Sequence, residues 1–308
     1  MKATVILCTY NRCESLRIAL ETLAGQIVPE DCPWEVLVVD NNSADRTRAV
    51  AEEFCSRYPE RFRYIFEPRQ GKSFALNSGI EAAAGEILAF VDDDVTVEPE
   101  WLVNIVAAFD DRRYDGVGGR IVPVWTCARP RWLRMDGPYT LHGVLVAFEF
   151  GDERRELTVG PFGANMAFRR EVFQKLGGFR VDLGPTVGSE IRGEDSEFCK
   201  RVMSAGSRIV YEPKAIVNHP VPASRATKRY FETWFFDHGR AVVRECGLPR
   251  EPKCWFGVPR YMLRKLVIGV LRWWFAYRAY ARFYYKVRVW RLFGEIVEAH
   301  RQLQGEST

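Results

Sequence analysis

Three consecutive carboxylates, Asp92, Asp93 and Asp94, end the apolar run Ile87-Leu-Ala-Phe-Val91. Such a run reads as a strand buried on both faces. No core holds three adjacent like charges unpaired, so something positive belongs beside them. Hard oxygen ligands at the carboxyl end of a buried strand suit Mg2+ or Mn2+. The plainer alternative is a solvated acidic turn ahead of a helix whose first turn is Glu98-Pro99-Glu100. A second acidic pair, Glu194-Asp195, opens a helical run through Cys199, Val202 and Met203. Taken alone, that pair is an ordinary complement to a helix dipole. His219 stands beside Pro220, with Pro222 further fixing the chain, and a lone histidine is more often structural than a ligand.

The elements around these residues follow from periodicity. Thr4–Cys8, Val36–Val39 and Phe62–Phe66 read as strands. Cys13–Gln26, a segment carrying Ala49, Val50 and Phe54, and Lys72–Ala84 read as helices. Ser43 or Asp45 is placed to cap the second helix, and Gly85 ends the third. This alternation predicts an α/β fold: a Rossmann-like, mostly parallel sheet with helices on both faces. Ligands of such sheets sit beyond the carboxyl ends of the strands. Thr9–Arg12, Asp40–Asn42 and Asp92–Asp94 should therefore converge. Gly71-Lys72-Ser73 looks like the end of a phosphate-binding loop, but Phe66 stands where its first glycine is required. Arg69 and Lys72 are still placed to meet an anion; the alternative is that both are solvated surface charges.

Further along, a helix is expected through Trp101, Leu102, Ile105 and Phe109, and a Gly-rich strand over Val117–Val124. Trp125–Tyr139, rich in Pro, Arg and Trp, reads as a loop over the site. Val144–Phe150 reads as another strand, Phe179–Gly193 as a long mobile loop, and Arg208–Tyr211 and Ala215–Val217 as two short strands. The 308 residues, 47% of them hydrophobic, suffice for one large domain or a domain with an appendage. Eight cysteines without CxxC spacing argue against a zinc or redox motif and suit a reducing cytosol. No signal peptide is expected at the N-terminus, and no window is apolar for long enough to span a membrane.

The last part of the chain has a different composition. Thr227–Cys246 is helical by spacing, and Gly247-Leu248-Pro249 stops it. From Arg260 to Arg291 there are nine Lys and Arg and no acidic residue, interleaved with aromatic side chains. Read as one helix, Arg260, Arg264, Lys265, Arg272, Arg278, Arg282 and Lys286 fall within about 140° of one another, opposite an apolar side. Such a helix fits an anionic membrane surface. Packing on the catalytic domain or on a second copy in a homo-oligomer competes with that reading; nucleic acid is not expected as a partner.

Taken in order, the blocks resemble the family-two glycosyltransferases, which have the GT-A fold. The blocks are Cys8-Thr9-Tyr10-Asn11-Arg12, Val39-Asp40-Asn41-Asn42-Ser43, Gly71-Lys72 with Ala75-Leu76-Asn77-Ser78-Gly79, Val91-Asp92-Asp93-Asp94, Gly163-Ala164-Asn165-Met166 with Arg169, and Gly193-Glu194-Asp195. The resemblance covers about residues 1 to 220. It implies a catalytic domain over 1–222 and a helical extension over 223–308. It also implies an inverting, divalent-metal-dependent transfer from a nucleotide-sugar, a UDP-sugar before others, to a glycan or lipid-linked acceptor. In that scheme Asp94 holds Mn2+ or Mg2+, with His219 as a further ligand, and Asp92 or Asp93 faces the ribose. Asp40 meets the base, and Thr9, Tyr10 and Arg12 line the nucleotide pocket with Asn42, Arg69 and Lys72. Asp195 is the general base, while Asn165 and Glu194 shape the sugar or acceptor side. The implied location is cytoplasmic and peripheral on the inner face of the membrane. Two rivals remain. A nucleotidyltransferase needs an early Gly-rich phosphate loop that Thr9–Glu14 lacks, and a non-catalytic scaffold would leave Asp195 dispensable.

Overall fold

The computed structural model describes residues 1–186, 191–250 and 252–305, and the chain falls into two compact units. The first comprises Met1–Val124, Val146–Val181 and Glu194–Pro220; the second comprises Trp125–Leu145, Asp182–Gly193 and Val221–Thr308. The second unit takes in the aromatic loop and part of the Gly-rich segment as well as the C-terminal helices.

In the first unit the runs of apolar residues become strands β1 (Ala3–Thr9), β2 (Trp34–Asp40), β3 (Phe62–Phe66) and β4 (Ile87–Asp92). They pair in parallel in the order β3-β2-β1-β4. Helices α1 (Cys13–Ala24), α2 (Thr47–Arg57) and α3 (Lys72–Ala82) make the crossovers. Right-handed crossovers put α1 and α2 on one face and α3 on the other. The register brings Thr9 level with Asp40 and Cys8 level with Asp92, so three strand ends finish at one edge. Parallel pairing stops there. The next elements in the chain are β5 (Thr96–Val97), α4 (Trp101–Ala108), β6 (Gly116–Trp125), β7 (Arg155–Glu156), β8 (Met166–Arg169), α5 (Arg170–Leu176), α6 (Glu194–Ser204) and β9 (Ile209–Val221). The sheet continues from β4 through β8, β6 and β9 to β5, with β7 beside β9. The pairings β4–β8, β8–β6, β5–β9 and β7–β9 are antiparallel.

Two expectations about strands are corrected. Val144–Phe150 is not a strand: a 3-10 turn covers His142–Leu145, Val146 takes φ 58°, and only Phe148 bridges to Ile121. A left-handed residue interrupts any extended run. The two short strands expected at 208–211 and 215–217 are the single strand β9; Glu212 accepts from the Lys214 N–H where Pro213 disturbs the ladder. Part of the long loop expected over Phe179–Gly193, residues 187–190, lies outside the described residues.

The second unit is built on helices α7 (Lys228–Cys246), α8 (Arg260–Trp274) and α9 (Ala279–Gln304), with a small hairpin of β10 (Cys254–Trp255) and β11 (Val258–Pro259). Here the expected single helix over Arg260–Arg291 is corrected: α8 stops at Trp274 and α9 starts at Ala279. Trp132 from the aromatic loop packs edge-on against Phe231 and Phe283, at 5.2 and 4.7 Å between ring centres. Helices α7 and α9 touch backbone to backbone. A Cβ on Gly294 would lie 1.9 Å from the Phe236 carbonyl oxygen, and one on Gly239 would lie 2.0 Å from that of Arg291. Glu298, fully buried, accepts from Arg240 and Arg244 of α7 at 3.2 and 2.7 Å.

Candidate active site

The loops at the strand ends are stitched to one another by two asparagines. Asn11, at φ 50°, accepts from the Ala44 N–H at 2.7 Å, and its own N–H donates to Ser43 Oγ at 2.9 Å. Asn41 donates to the Arg69 carbonyl at 2.6 Å and accepts from the Gly71 N–H at 2.8 Å. The turns after β1, β2 and β3 therefore form one rim. Asn tolerates the left-handed backbone that such tight loops need, and Asn42 uses it too, at φ 64°. Asp40 lies under this rim, buried, accepting from Tyr64 Oη and the Ser43 N–H at 2.9 Å each.

The acidic end of β4 is neutralised by two cations from different elements. Lys72, at the start of α3, donates to Asp92 at 2.6 Å and lies 3.6 Å from Glu194. Arg12 spans Asp93 and Asp94 at 3.0 and 2.9 Å. These contacts decide which carboxylates ionise easily. Burial works to raise Asp92, but Lys72, helped by His219 and Arg12, outweighs it and holds the group at about 2. Burial dominates at Asp93, and with the neighbouring Asp94 it carries that group up to about 6 against the pull of Arg12. Glu194 is raised in the same way by burial, opposed by Lys72 and reinforced by Asp195.

Asp195 differs from its neighbour. It is half-buried, and its two oxygens accept from the Gly163 N–H at 2.9 Å and the Ser196 N–H at 2.6 Å. Two backbone donors fix the plane of a carboxylate that still reaches solvent. His219, buried on β9, points Nε2 at Asp94 Oδ1 across 3.8 Å, while the other oxygen of Asp94 is held by Arg12.

Most of the residues singled out from the sequence thus meet in the first unit: Thr9, Arg12, Asp40, Lys72, Asp92, Asp93, Asp94, Glu194, Asp195 and His219. Tyr10 and Asn42 stand exposed on the rim. Two residues are engaged elsewhere. Arg69 commits its guanidinium to both oxygens of Glu67, at 2.8 Å each, and stacks over Phe74. Asn165 is fully buried, donating to the Arg120 and Ala215 carbonyls and accepting from Trp101 Nε1 at 2.8 Å. Its amide holds the sheet together beneath the site. The rim-forming roles of Asn11 and Asn41 were missed by sequence reasoning; an Asn within two residues of each of two strand ends was the available signal.

The family model for glycosyl transferase family 2 matches residues 4–177. The chain belongs to that family. Among the relatives of this family-2 glycosyltransferase, the succinoglycan biosynthesis protein ExoM of Rhizobium meliloti is 32% identical over 247 residues, covering 77% of this chain and 74% of the relative. A glucosyl-dolichyl phosphate glucuronosyltransferase of Haloferax volcanii is 29% identical over 226 residues, covering 71% and 69%. Among solved structures, the mannosyltransferase PcManGT of Pyrobaculum calidifontis, in complex with GDP-Man and Mn2+, superposes with TM-score 0.58 at 19% identity, over all of this chain and 76% of that one. The S. aureus TarS 1–349 complex with UDP gives TM-score 0.55 at 17% identity over 99% and 92%. The fold is GT-A, and the protein is a glycosyltransferase.

Proposed function

We propose that this glycosyltransferase moves a hexosyl group, with inversion, from a nucleotide-diphosphate sugar to a hydroxyl of a lipid-linked or surface-glycan acceptor. The donor is a UDP-sugar before others, and the enzyme works at the inner face of a membrane. The observation that carries this reading is Lys72, which pairs with Asp92 at 2.6 Å and lies 3.6 Å from Glu194, beside the proposed base. The acidic end of β4 and the Glu194-Asp195 turn therefore meet at one lysine. The names of the relatives support the acceptor class: one serves succinoglycan biosynthesis and one acts on glucosyl-dolichyl phosphate.

Asp195 takes the proton of the acceptor hydroxyl as that oxygen attacks the anomeric carbon. Its oxygens are held by backbone N–H groups, so it needs no rearrangement, and a base so placed contributes about 10²–10⁴-fold. Glu194, buried against Lys72, orients the turn that carries it. A single base on the face opposite the leaving group means a single displacement. The sugar passes through an oxocarbenium-like state, as in glycoside hydrolysis. Asp40 and the rim hold the base and ribose, with Tyr10 exposed to stack. Asn165 and Arg69 act through Trp101 and Glu67 respectively.

The residues present also fit a divalent cation. Asp94 Oδ1 and His219 Nε2 face each other at 3.8 Å, and an ion with bonds of about 2.1 Å can span about 4.2 Å. Among the described residues no group of three or more His, Cys, Asp or Glu converges. Two protein ligands leave the remaining positions to phosphate oxygens and water, the usual arrangement for Mg2+ and one open to Mn2+. Such an ion, when bound, neutralises charge on the departing diphosphate.

The test has two readouts. Thermal unfolding against a panel of nucleoside diphosphates, with and without Mn2+, should show one metal-dependent shift; saturation at a hundredfold excess over Kd stabilises by about 2.7 kcal/mol. NMR of the product should show inverted anomeric configuration. A retained product would remove the assignment of Asp195 as base.

A further inference from the structure

We infer that the solvent face of α8 and the corner that follows it form a docking surface for an anionic lipid bilayer. The inference rests on the membrane location proposed above and deepens it. The surface differs from the stripe the sequence suggested. Because the helix breaks after Trp274, basic residues of α8 and α9 do not share one continuous face. Instead α8 exposes both kinds of side chain together. At 100° per residue, Arg260, Arg264, Val267, Ile268, Leu271, Trp274 and Phe275 lie within about 120° of one another, with Arg272 and Lys265 flanking them. Met262 and Gly269 occupy the opposite side, Met262 in a buried cluster and Gly269 against Val289 and Leu292 of α9.

The exposure is unusual for apolar groups. Trp274 and Phe275 are 76% and 77% exposed and Tyr277 is fully exposed, contiguous along the chain with exposed Val267, Ile268 and Leu271. A contiguous apolar patch rimmed by polar groups marks an interaction site. Charge then selects the occupant. Residues 252–294 contain ten Lys and Arg and no Asp or Glu. Arg260 and Lys265 lie over the Trp255 and Tyr261 rings, and Arg278 donates to the Tyr280 hydroxyl. Among the described residues no carboxylate comes within ion-pair distance of Arg260, Arg264, Lys265, Arg272 or Arg278. A second copy of this chain would bring like charges face to face. A nucleic acid would offer phosphates but no apolar phase for Val267, Ile268 and Leu271. A bilayer offers both: headgroup phosphates for the guanidinium groups, and the acyl boundary for the aliphatic and aromatic groups. No described helix is long and apolar enough to cross a membrane. The geometry describes a helix lying in the interface, with Trp274, Phe275 and Tyr277 seated at headgroup depth.

The experiment is co-sedimentation of the full chain with phosphatidylcholine vesicles with and without phosphatidylglycerol, at low and at physiological salt. The expected result is binding to anionic vesicles that weakens with salt. Arg264→Glu with Arg272→Glu should lower partition by at least about fivefold per residue, and Trp274→Ser with Phe275→Ser should lower it further. Circular dichroism and the thermal midpoint check that the variants fold, since all four positions are exposed. Absence of binding, or binding unchanged in both variants, overturns the proposal. So does a stable dimer that the Trp274→Ser, Phe275→Ser variant converts to monomer. The nucleoside-diphosphate shift should be the same in every variant. Its loss in the parent chain would remove the proposed function and leave the vesicle result standing.

Discussion

The two units use charge in opposite ways. The first holds 23 Lys and Arg against 30 Asp and Glu, a net −7; the second holds 21 against 10, a net +11. The overall +4 of the chain hides both. In the first unit, acids gather at one edge: Arg12 pairs with Asp93 and Asp94, and Lys72 with Asp92 and Glu194. In the second, the bases spread over the outside, while three of its ten acids are buried. Asp237, Glu295 and Glu298 are buried, paired with Arg240, Arg244 and Arg291. A concentrated acidic site is suited to the cation and phosphorylated ligand proposed above. A diffuse basic surface is prepared for an extended anionic one, and its field extends about 8 Å at physiological salt.

The largest expected effect separates chemistry from binding. Asp195→Asn keeps the size of the side chain, removes its basicity and gives up one of its two backbone hydrogen bonds, because an amide nitrogen cannot accept from an N–H. Turnover should fall about 10²–10⁴-fold, with nucleoside-diphosphate affinity, read by thermal shift, within about threefold of the parent. Full turnover in this variant would remove Asp195 from the role of base.

In the second unit the most sensitive residue is an acid rather than a base. Glu298→Ala removes the buried carboxylate that Arg240 and Arg244 share, leaving Asp237 beside Arg240 and the Asp182 carbonyl beside Arg244. Removing one member of a buried ion pair typically costs about 3–5 kcal/mol, and urea unfolding should show a loss of that size. Glu298→Gln, which keeps the acceptor oxygen, should lose less. Equal losses would mean that packing, not charge, holds α7 to α9.

Backbone contact gives the next effect. Gly294→Ala directs a methyl at the Phe236 carbonyl, 1.9 Å away, and a backbone cannot step aside as a side chain can. A loss of about 1–3 kcal/mol is expected, the range for overpacked cores. In the first unit, Gly79→Ala meets the Ile6 and Val39 methyls at 2.6 and 3.2 Å, and side-chain repacking should keep its cost lower. Chemical denaturation of both variants ranks the two interfaces.

How far the sequence could be read follows the same division. Strands β1, β2 and β4 were legible because burial on both faces leaves nearly continuous apolar runs, and because their polar ends point to one edge by topology alone; β3, at the sheet edge, is buried only at Phe62. The antiparallel half was legible only in part: β6 is the Gly-rich strand expected over Val117–Val124, whereas β8 has four residues, and β9, read as two pieces, runs through Pro213 with Glu212 compensating locally. Asn165 and Arg69 show the limit for side chains. The family resemblance placed Asn165, and position after β3 placed Arg69, among ligand-binding groups, while their partners, Trp101 and Glu67, are fixed by tertiary packing that no spacing reveals. The end of α8 was illegible for a different reason. Phe275-Ala-Tyr-Arg278 contains neither Gly nor Pro, and the helix stops there without a breaker, with the Phe275 N–H bonded back to the Leu271 carbonyl.

The smallest effect tests that limit directly at Arg69. Glu67, nearly fully buried, is held at about 2, well below the usual carboxylate range, first by the Arg69 guanidinium and then, against burial, by Ser78 and the Arg69 N–H. A depressed folded-state value means the unfolded chain binds the proton more readily. The pair therefore stabilises the fold above about pH 4.5, and that contribution is lost as pH falls towards 2. Because Arg69 is mostly exposed, solvent screens its half of the pair and keeps the effect small. Arg69→Ala should lower the urea midpoint slightly at pH 7 and leave it nearly unmoved at pH 2.5, with nucleoside-diphosphate affinity unchanged. A decrease that is the same at both pH values would assign the effect to stacking on Phe74 instead of charge. A loss of affinity would return Arg69 to the donor pocket and add a third cation to the acidic site.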